Sequence, residues 1–274
     1  MVEIILAKDK FEDIKREREL HKDDPVSFSG LETLDKNTEG FRQGNMIVIS
    51  GPPGMGKTTL ARTLTTNMTA QGRKVGWFSY EESYEELFDK MANLDFYVPE
   101  NLESDQLQWV KSMMLKGLEK GVDVYFIDNL DFLRDTNKMR DVQLNMSNYV
   151  GGIVQELKHF IVQNKITLFL LVHLKKNDWK NEEVPSDDDI RDSGQIPQLA
   201  SFTIYVTRKK SSEGGQLYTN ETLLGLRKNR RNGKTCKLSL IYDEKKKVLH
   251  EESVDDWLQP QPTLPGWTGF NKKR

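Results

Sequence analysis

Met46-Ile47-Val48-Ile49-Ser50 runs directly into Gly51-Pro52-Pro53-Gly54-Met55-Gly56-Lys57-Thr58, and Thr59-Leu60-Ala61-Arg62-Thr63-Leu64 follows. An apolar, β-branched run, a loop of the form G-x-x-x-x-G-K-[ST] and a helix-forming stretch stand in that order, which is the context a phosphate-binding loop requires. The glycines let backbone N–H groups turn inward around phosphate oxygens at a helix start, where the helix dipole and free N–H groups favour an anion. Lys57 is expected to reach the β- and γ-phosphates and Thr58 to ligate Mg²⁺. Gly51, Pro52, Pro53, Gly54, Met55, Gly56 and Thr59 complete the expected nucleotide contacts. The implied ligands are ATP, or another NTP or dNTP, and Mg²⁺.

Outward from this loop, short apolar runs alternate with longer helical stretches. Strands are expected at Met46–Ser50, Val75–Ser79, Val124–Asp128, Thr167–Val172 and Phe202–Val206, with helices at Thr58–Gln71, Glu82–Met91, Asp105–Lys120 and Val142–Asn164 between them. Nearly continuous apolar strands separated by helices predict an α/β fold, a mostly parallel sheet covered on both faces. Thr222–Lys228, Lys237–Tyr242 and Lys247–His250 have no long helix between them and read as antiparallel additions at the C-terminal sheet edge.

Three further strands end in residues suited to phosphoryl chemistry. Val124–Ile127 leads into Asp128, a carboxylate placed to hold the metal's water shell across from Thr58, about 70 residues downstream of the loop. Val75–Ser79 is followed by Tyr80, Glu81 and Glu82; Glu81 is taken as the group that polarises the attacking water, and Glu82 as a surface acid. His173 ends the run Thr167–Val172 at the equivalent position, where a neutral polar side chain can sense the γ-phosphate.

Composition narrows the remaining possibilities. Of 274 residues, 36 % are hydrophobic and 30 % charged, enough apolar surface for a core and too much for global disorder. One large domain is expected: residues 28–252, preceded by a docking or linker helix within 1–27 and followed by a linker-like tail over 253–274. The longest apolar runs, such as Ile166–Val172, are far shorter than the roughly 20 residues a membrane helix needs. Met1–Lys10 lacks the apolar core of a secretory signal, and the lone Cys236 has no intrachain disulfide partner. A cytoplasmic location is expected, in the host cytoplasm if the source is viral. Net charge is −2, so any nucleic-acid contact must be local.

The ordered set LETLDKNTEGFRQGNMIVISGPPGMGKTT, FSYEESYEEL, FIDNLDFL, LVHLKK, DIRDSGQIPQLASFTIYVTR, LRKNRRNGKT and LSLIYDEKKKVLHE resembles the ATPase domain of the DnaB-like ring helicases, most closely phage primase-helicases and the Twinkle-type mitochondrial helicase. The resemblance runs from about Phe28 to His250. It implies a RecA-like P-loop fold and an ATP-dependent DNA helicase of replicative ring type, hydrolysing NTP at subunit interfaces while translocating on single-stranded DNA. Glu81 then resembles the catalytic base and His173 the γ-phosphate sensor. Lys228 and Arg230 resemble the basic pair that enters a neighbour's ATP site, with Arg231 an alternative finger. Arg208 and Tyr242 match positions that sandwich the nucleotide base. Lys175, Lys176, Asn177 and Lys180, together with Arg191, Ser193 and Gly194, match loops that track DNA phosphates; Arg134, Lys138 and Arg140 are a further contact candidate.

The expected partners are single-stranded DNA and further copies of the chain in a hexameric ring, with room for a separate primase, polymerase or loader. Only about 27 residues precede the expected ATPase domain, so priming is expected from another protein. The stretch DDWLQPQPTLPGWTGF offers acids and aromatics for docking a replisome protein, or packs on its own domain. Two other readings remain: a RecA-superfamily DNA-dependent ATPase acting in recombination or loading without processive unwinding, and a nucleotide-gated assembly protein with no DNA partner.

Overall fold

A computed structural model describes residues 11–12, 15–16, 26–91, 94–102, 107–133, 146–174, 194–211 and 218–251. In chain order its elements are α1 (Glu32–Thr38), β1 (Met46–Gly51), α2 (Lys57–Ala70), β2 (Val75–Ser79), α3 (Tyr84–Met91), α4 (Leu107–Glu119), β3 (Val124–Asp128), a 3₁₀ turn (Leu130–Leu133), α5 (Met146–Gln163), β4 (Thr167–His173), α6 (Gln195–Leu199), β5 (Phe202–Lys210), β6 (Tyr218–Asn229), β7 (Cys236–Asp243) and β8 (Val248–Glu251). The eight strands form one sheet in the order β2-β3-β4-β1-β5-β6-β7-β8. The first five are parallel and the last three antiparallel. The expected α/β class and the antiparallel C-terminal edge are both present.

The parallel strands are apolar at nearly every position because both their faces are covered. Met46 and Val48 point into one core with Val110 and Met114 of α4 and Val150, Val154 and Leu157 of α5. Ile47 and Ile49 point into the other, with Leu34 of α1, Leu60, Leu64 and Met68 of α2 and Leu87 of α3. The period-two alternation of a strand divides each one between the two cores. The stretch around Tyr97 shields the outer edge of β2: Trp77 N–H donates to Tyr97 O and Tyr97 N–H to Val75 O, each at 2.8 Å. That pairing occupies backbone groups an exposed edge would offer to another chain.

Helix α2 is rich in threonine, a residue that competes with helix formation unless its hydroxyl is satisfied. Thr63 and Thr65 donate to the carbonyls of Thr59 and Ala61 and accept from Leu249 N–H and Trp77 Nε1, both at 2.9 Å. Buried hydroxyls thus pin α2 to β2 and β8. Two short helices lie outside the expected set. Helix α1 is seven residues long, and Glu251 of β8 accepts from Thr33 N–H at 2.8 Å and Thr33 Oγ1 at 2.9 Å at its start. Helix α6 has five residues, Pro197 among them.

Strand β1 lies between β4 and β5, at the point where the chain order reverses and where open α/β sheets place their ligands. Gly51 pairs with His173 and Ser79 with Asp128, so the C-terminal ends of β1 to β4 form one rim. No helix among the described residues is long and apolar enough to cross a membrane. Of the expected N-terminal helix, Phe11, Glu12, Lys15 and Arg16 are described and helical; the rest, and the tail from 252, lie outside the described residues.

Candidate functional site

The loop between β1 and α2 is shaped by its glycines. Gly54 and Gly56 hold φ of 73° and 93°, the left-handed region, where a side chain is strained. Gly51 is required for a different reason: a Cβ there would stand 2.2 Å from the Val206 carbonyl oxygen of β5. A Cβ on Gly54 would meet nothing within 4 Å, so the loop opens onto free space. No side chain caps α2 and no acid stands in its first turn, which leaves the first N–H groups for an anion.

Lys57 is buried at the loop's end, and its Nζ donates to the carbonyls of Gly51 and Pro52, each at 3.1 Å. Burial holds its ammonium below the usual lysine range, against the pull of the Glu81 and Asp128 carboxylates. Thr58 Oγ1 donates to Asp128 Oδ2 at 2.7 Å. Asp128 is fully buried, and burial pushes its carboxyl up to about 7, opposed by the Thr58 hydrogen bond. Its other oxygen, Oδ1, is buried without a hydrogen bond. A hydroxyl and a buried carboxylate with an unsatisfied oxygen make a hard oxygen donor pair, which fits Mg²⁺ and its water shell.

Tyr80 N–H and Glu81 N–H both donate to Asp128 O, at 2.7 and 3.3 Å, which folds the end of β2 against the end of β3. Glu81 Oε2 then lies 3.7 Å from His173 Nε2, with Asn129 Nδ2 at 2.9 Å from each. Glu82 departs from its expected role as a surface acid. It accepts from Arg62 Nη1 at 3.0 Å and Lys90 Nζ at 2.8 Å, while Arg62 Nη2 also donates to Thr59 Oγ1 at 3.2 Å. The reason is the turn after β2, which aims Glu82 inward against the buried guanidinium of α2.

A cavity of about 530 Å³ joins these parts, lined by the loop, Lys57, Thr58, Thr59, Glu81 and, on the far wall, Arg208 and Tyr242. Arg208 is held by Thr219 O at 2.7 Å and lies over the Tyr218 ring. The structure therefore brings the loop, both carboxylates, His173, Arg208 and Tyr242 to one region. Sequence reasoning missed Arg62, Asn220 and Thr222 in the cavity wall and Asn129 beneath it. Asn129 carried one signal, its place directly after the strand-ending Asp128.

Lys228 and Arg230 are elsewhere. On β6, Thr222 pairs with Arg208 at the cavity end, but Lys228 pairs with Thr203, six residues on and about 20 Å away at roughly 3.3 Å per residue. There Lys228 Nζ donates to the carbonyls of Pro197 and Gln198, and Arg230 Nη2 donates to Gln198 O, at the C-terminal end of α6. Arg231 is half-buried in the turn that follows. Of the expected DNA-loop residues, Gly194 is described, as the N-cap of α6; Lys175, Lys176, Asn177, Lys180, Arg191 and Ser193 lie outside the described residues, as do Arg134, Lys138 and Arg140.

The chain is 27 % identical over 245 residues to a probable plasmid replicative DNA helicase of Chlamydia psittaci, an alignment covering 76 % of this chain and 51 % of that protein. It is 25 % identical over 215 residues to the replicative DNA helicase DnaB of Helicobacter pylori strain J99, covering 66 % and 43 %. With the replicative DNA helicase DnaC of Bacillus subtilis strain 168 it shares 24 % identity over 266 residues, covering 83 % and 57 %. The chain spans about half the length of the curated relatives it matches.

Among solved structures, the ATPase domain of G40P superposes with a TM-score of 0.76 at 18 % identity, covering 92 % of this chain and 100 % of that one. A DnaB-like replicative helicase, described with its interactions with primase, superposes with a TM-score of 0.75 at 18 % identity over 92 % and 68 %. At such identities the likeness is one of fold alone. The family described as DnaB-like helicase C terminal domain matches residues 28–116 and 91–251, and with that coverage the chain belongs to the DnaB-like helicase C-terminal domain family.

Proposed function

We propose that residues 28–252 are the ATPase motor of a replicative-type DNA helicase, acting in the cytoplasm as a ring, hexameric by the family resemblance, that hydrolyses ATP at subunit interfaces and moves along single-stranded DNA. The observation that carries the reading is the division of the machinery. One rim of the sheet holds the phosphate loop, Asp128, Glu81 and His173, while Lys228 and Arg230 lie at the opposite end of β6. A basic pair so placed is out of reach of its own site, and by exchanging the α6 carbonyls for phosphate oxygens it would serve a neighbouring copy's.

Within one chain, Lys57 exchanges the carbonyls of Gly51 and Pro52 for phosphate oxygens. Thr58 and Asp128 would hold Mg²⁺, which would neutralise phosphate charge. Glu81 orients the attacking water and accepts its proton, and His173 meets the terminal phosphate. Arg208 and Tyr242 present planar groups suited to a nucleobase. The neighbour's Arg230, assisted by Lys228, neutralises charge at the transition state, a contribution of about 10³–10⁵ in rate in some NTPases. Lys175, Lys176, Asn177, Lys180, Arg191, Ser193 and Gly194 would track the DNA backbone, contacts that are blind to sequence. A primase, polymerase or loader is the class of further partner this function calls for.

The test is steady-state ATP hydrolysis with Mg²⁺, with and without single-stranded DNA, beside Lys57→Ala and Arg230→Ala, followed by strand displacement. DNA-stimulated hydrolysis lost in both variants is the expected result. Hydrolysis indifferent to DNA would remove the motor reading, and DNA-stimulated hydrolysis without strand displacement would favour a recombination or loading ATPase.

A further inference from the structure

Asn129 is almost fully buried between the ends of β2, β3 and β4. Its Oδ1 accepts from Asp131 N–H at 2.9 Å, which fixes the amide's orientation and turns Nδ2 toward the site. Nδ2 stands 2.9 Å from Glu81 Oε2 and 2.9 Å from His173 Nε2, and those two acceptors are 3.7 Å apart. An amide nitrogen offers two hydrogens and no acceptor. Both neighbours therefore accept, which places the ring proton of His173 on Nδ1. The acceptors subtend less than the angle between the two N–H bonds, so each bond is bent by about 20°, well inside the tolerated range.

The consequence is a mechanical one. The Glu81 side chain is partly exposed, and a carboxylate in that setting samples several rotamers unless something holds it. The holding group is the same nitrogen that engages the histidine. Asn129 is itself fixed, through Oδ1 to the 3₁₀ turn and through its backbone to Asp128.

We infer that Asn129 is the positioning residue of the hydrolytic site, a buried amide that holds Glu81 Oε2 and His173 Nε2 on a common nitrogen, so that a shift of His173 on meeting the terminal phosphate is passed to the carboxylate that orients the water. The inference rests on the roles proposed for Glu81 and His173. It predicts a defect in turnover rather than in nucleotide binding, because no part of the loop touches the amide.

The experiment compares wild type, Lys57→Ala, Asn129→Ala, Asn129→Asp, His173→Ala and the double variant Asn129→Ala/His173→Ala, as full chains with Mg²⁺ and single-stranded DNA. The readouts are kcat, KM for ATP, affinity for a fluorescent ATP analogue and melting temperature. Asn129→Ala is expected to lower kcat by about 10- to 100-fold, the scale of a misplaced catalytic group, while KM and analogue affinity change less than about threefold. Asn129→Asp, nearly isosteric, faces Glu81 with a second carboxylate and should lower kcat at least as far. Removing Asn129 in the His173→Ala background should cost less than in wild type, because the link to the histidine is already broken and only the hold on Glu81 remains to be lost. A purely structural amide would lower melting temperature and nucleotide affinity together and would add fully to His173→Ala, and that pattern overturns the inference. So does a kcat within about twofold of wild type in both Asn129 variants, on the same positioning argument. If wild type shows no hydrolysis that Lys57→Ala abolishes, the functional reading itself fails and takes this inference with it; vigorous wild-type hydrolysis with unaffected Asn129 variants defeats the inference alone.

Discussion

Asp128 sits where chemistry and stability conflict. Burial raises its carboxyl from 3.8 to about 7, so between those pH values the folded chain holds a proton that the unfolded chain has lost. Stability without nucleotide or Mg²⁺ should therefore fall as pH rises through that window, and the deficit should persist above it. Asp128→Asn removes the buried charge while keeping the size and a partner for Thr58. We expect the metal-free variant to be more stable than wild type at pH 8 by the order of 2 kcal/mol, with the gap shrinking toward pH 5, and to hydrolyse no ATP. Thermal melts at the two pH values decide it; a variant no more stable than wild type at pH 8 contradicts the argument. Asp128, the loop and Glu81 were legible because each follows an apolar run that ends at the rim of a parallel sheet. Asn129 was not, because its partners come from two other strands, at positions 81 and 173, and only the strand order makes them neighbours.

At the scale of elements, Glu82 links the end of β2 to two helices. Arg62 of α2 is buried and Lys90 of α3 is half-exposed, and both meet the one carboxylate. Glu82→Ala leaves the Arg62 guanidinium without a counter-charge, a change that costs about 3 kcal/mol at buried pairs. The urea midpoint should drop accordingly, and a loss under about 1 kcal/mol would return Glu82 to the role of a surface acid. Elements of this kind differ in how plainly sequence announces them. Strands β1 to β5 and helices α2 to α5 each bury a long apolar face, so their periodicity is readable within the segment. Helix α1 is held instead by Glu251 at its N-terminus, from the far end of the fold, and α6 is too short for any period to register. Glu251→Ala should accordingly cost about 1 kcal/mol, the scale of a lost helix cap, and hydrogen exchange should quicken in 32–38 ahead of the rest of the sheet.

At the scale of the whole molecule, the sheet is a spacer. Its parallel strands end at the cavity beside the glycine loop, and its antiparallel extension carries Lys228 and Arg230 to the opposite side, where the carbonyls of α6 receive them. If the basic pair serves a neighbouring copy, each active site is composed of two chains, and two differently broken chains can repair one another. Lys57→Ala supplies an intact Arg230 and a dead loop; Arg230→Ala supplies the reverse. Neither alone should hydrolyse ATP above a few per cent of wild type. In an equimolar mixture, random assembly pairs a working loop with a working Arg230 at about a quarter of the interfaces of a head-to-tail ring. Activity recovering toward that fraction on mixing, and falling away on dilution below the assembly concentration, is the expected outcome. Should the mixture remain as inactive as its components while both variants still assemble with wild type, either the sites act only when all are intact or Arg230 is not the completing group. Substituting Arg231 in the same mixing design then separates the two, because recovery with Arg231→Ala in place of Arg230→Ala would assign the finger to its neighbour.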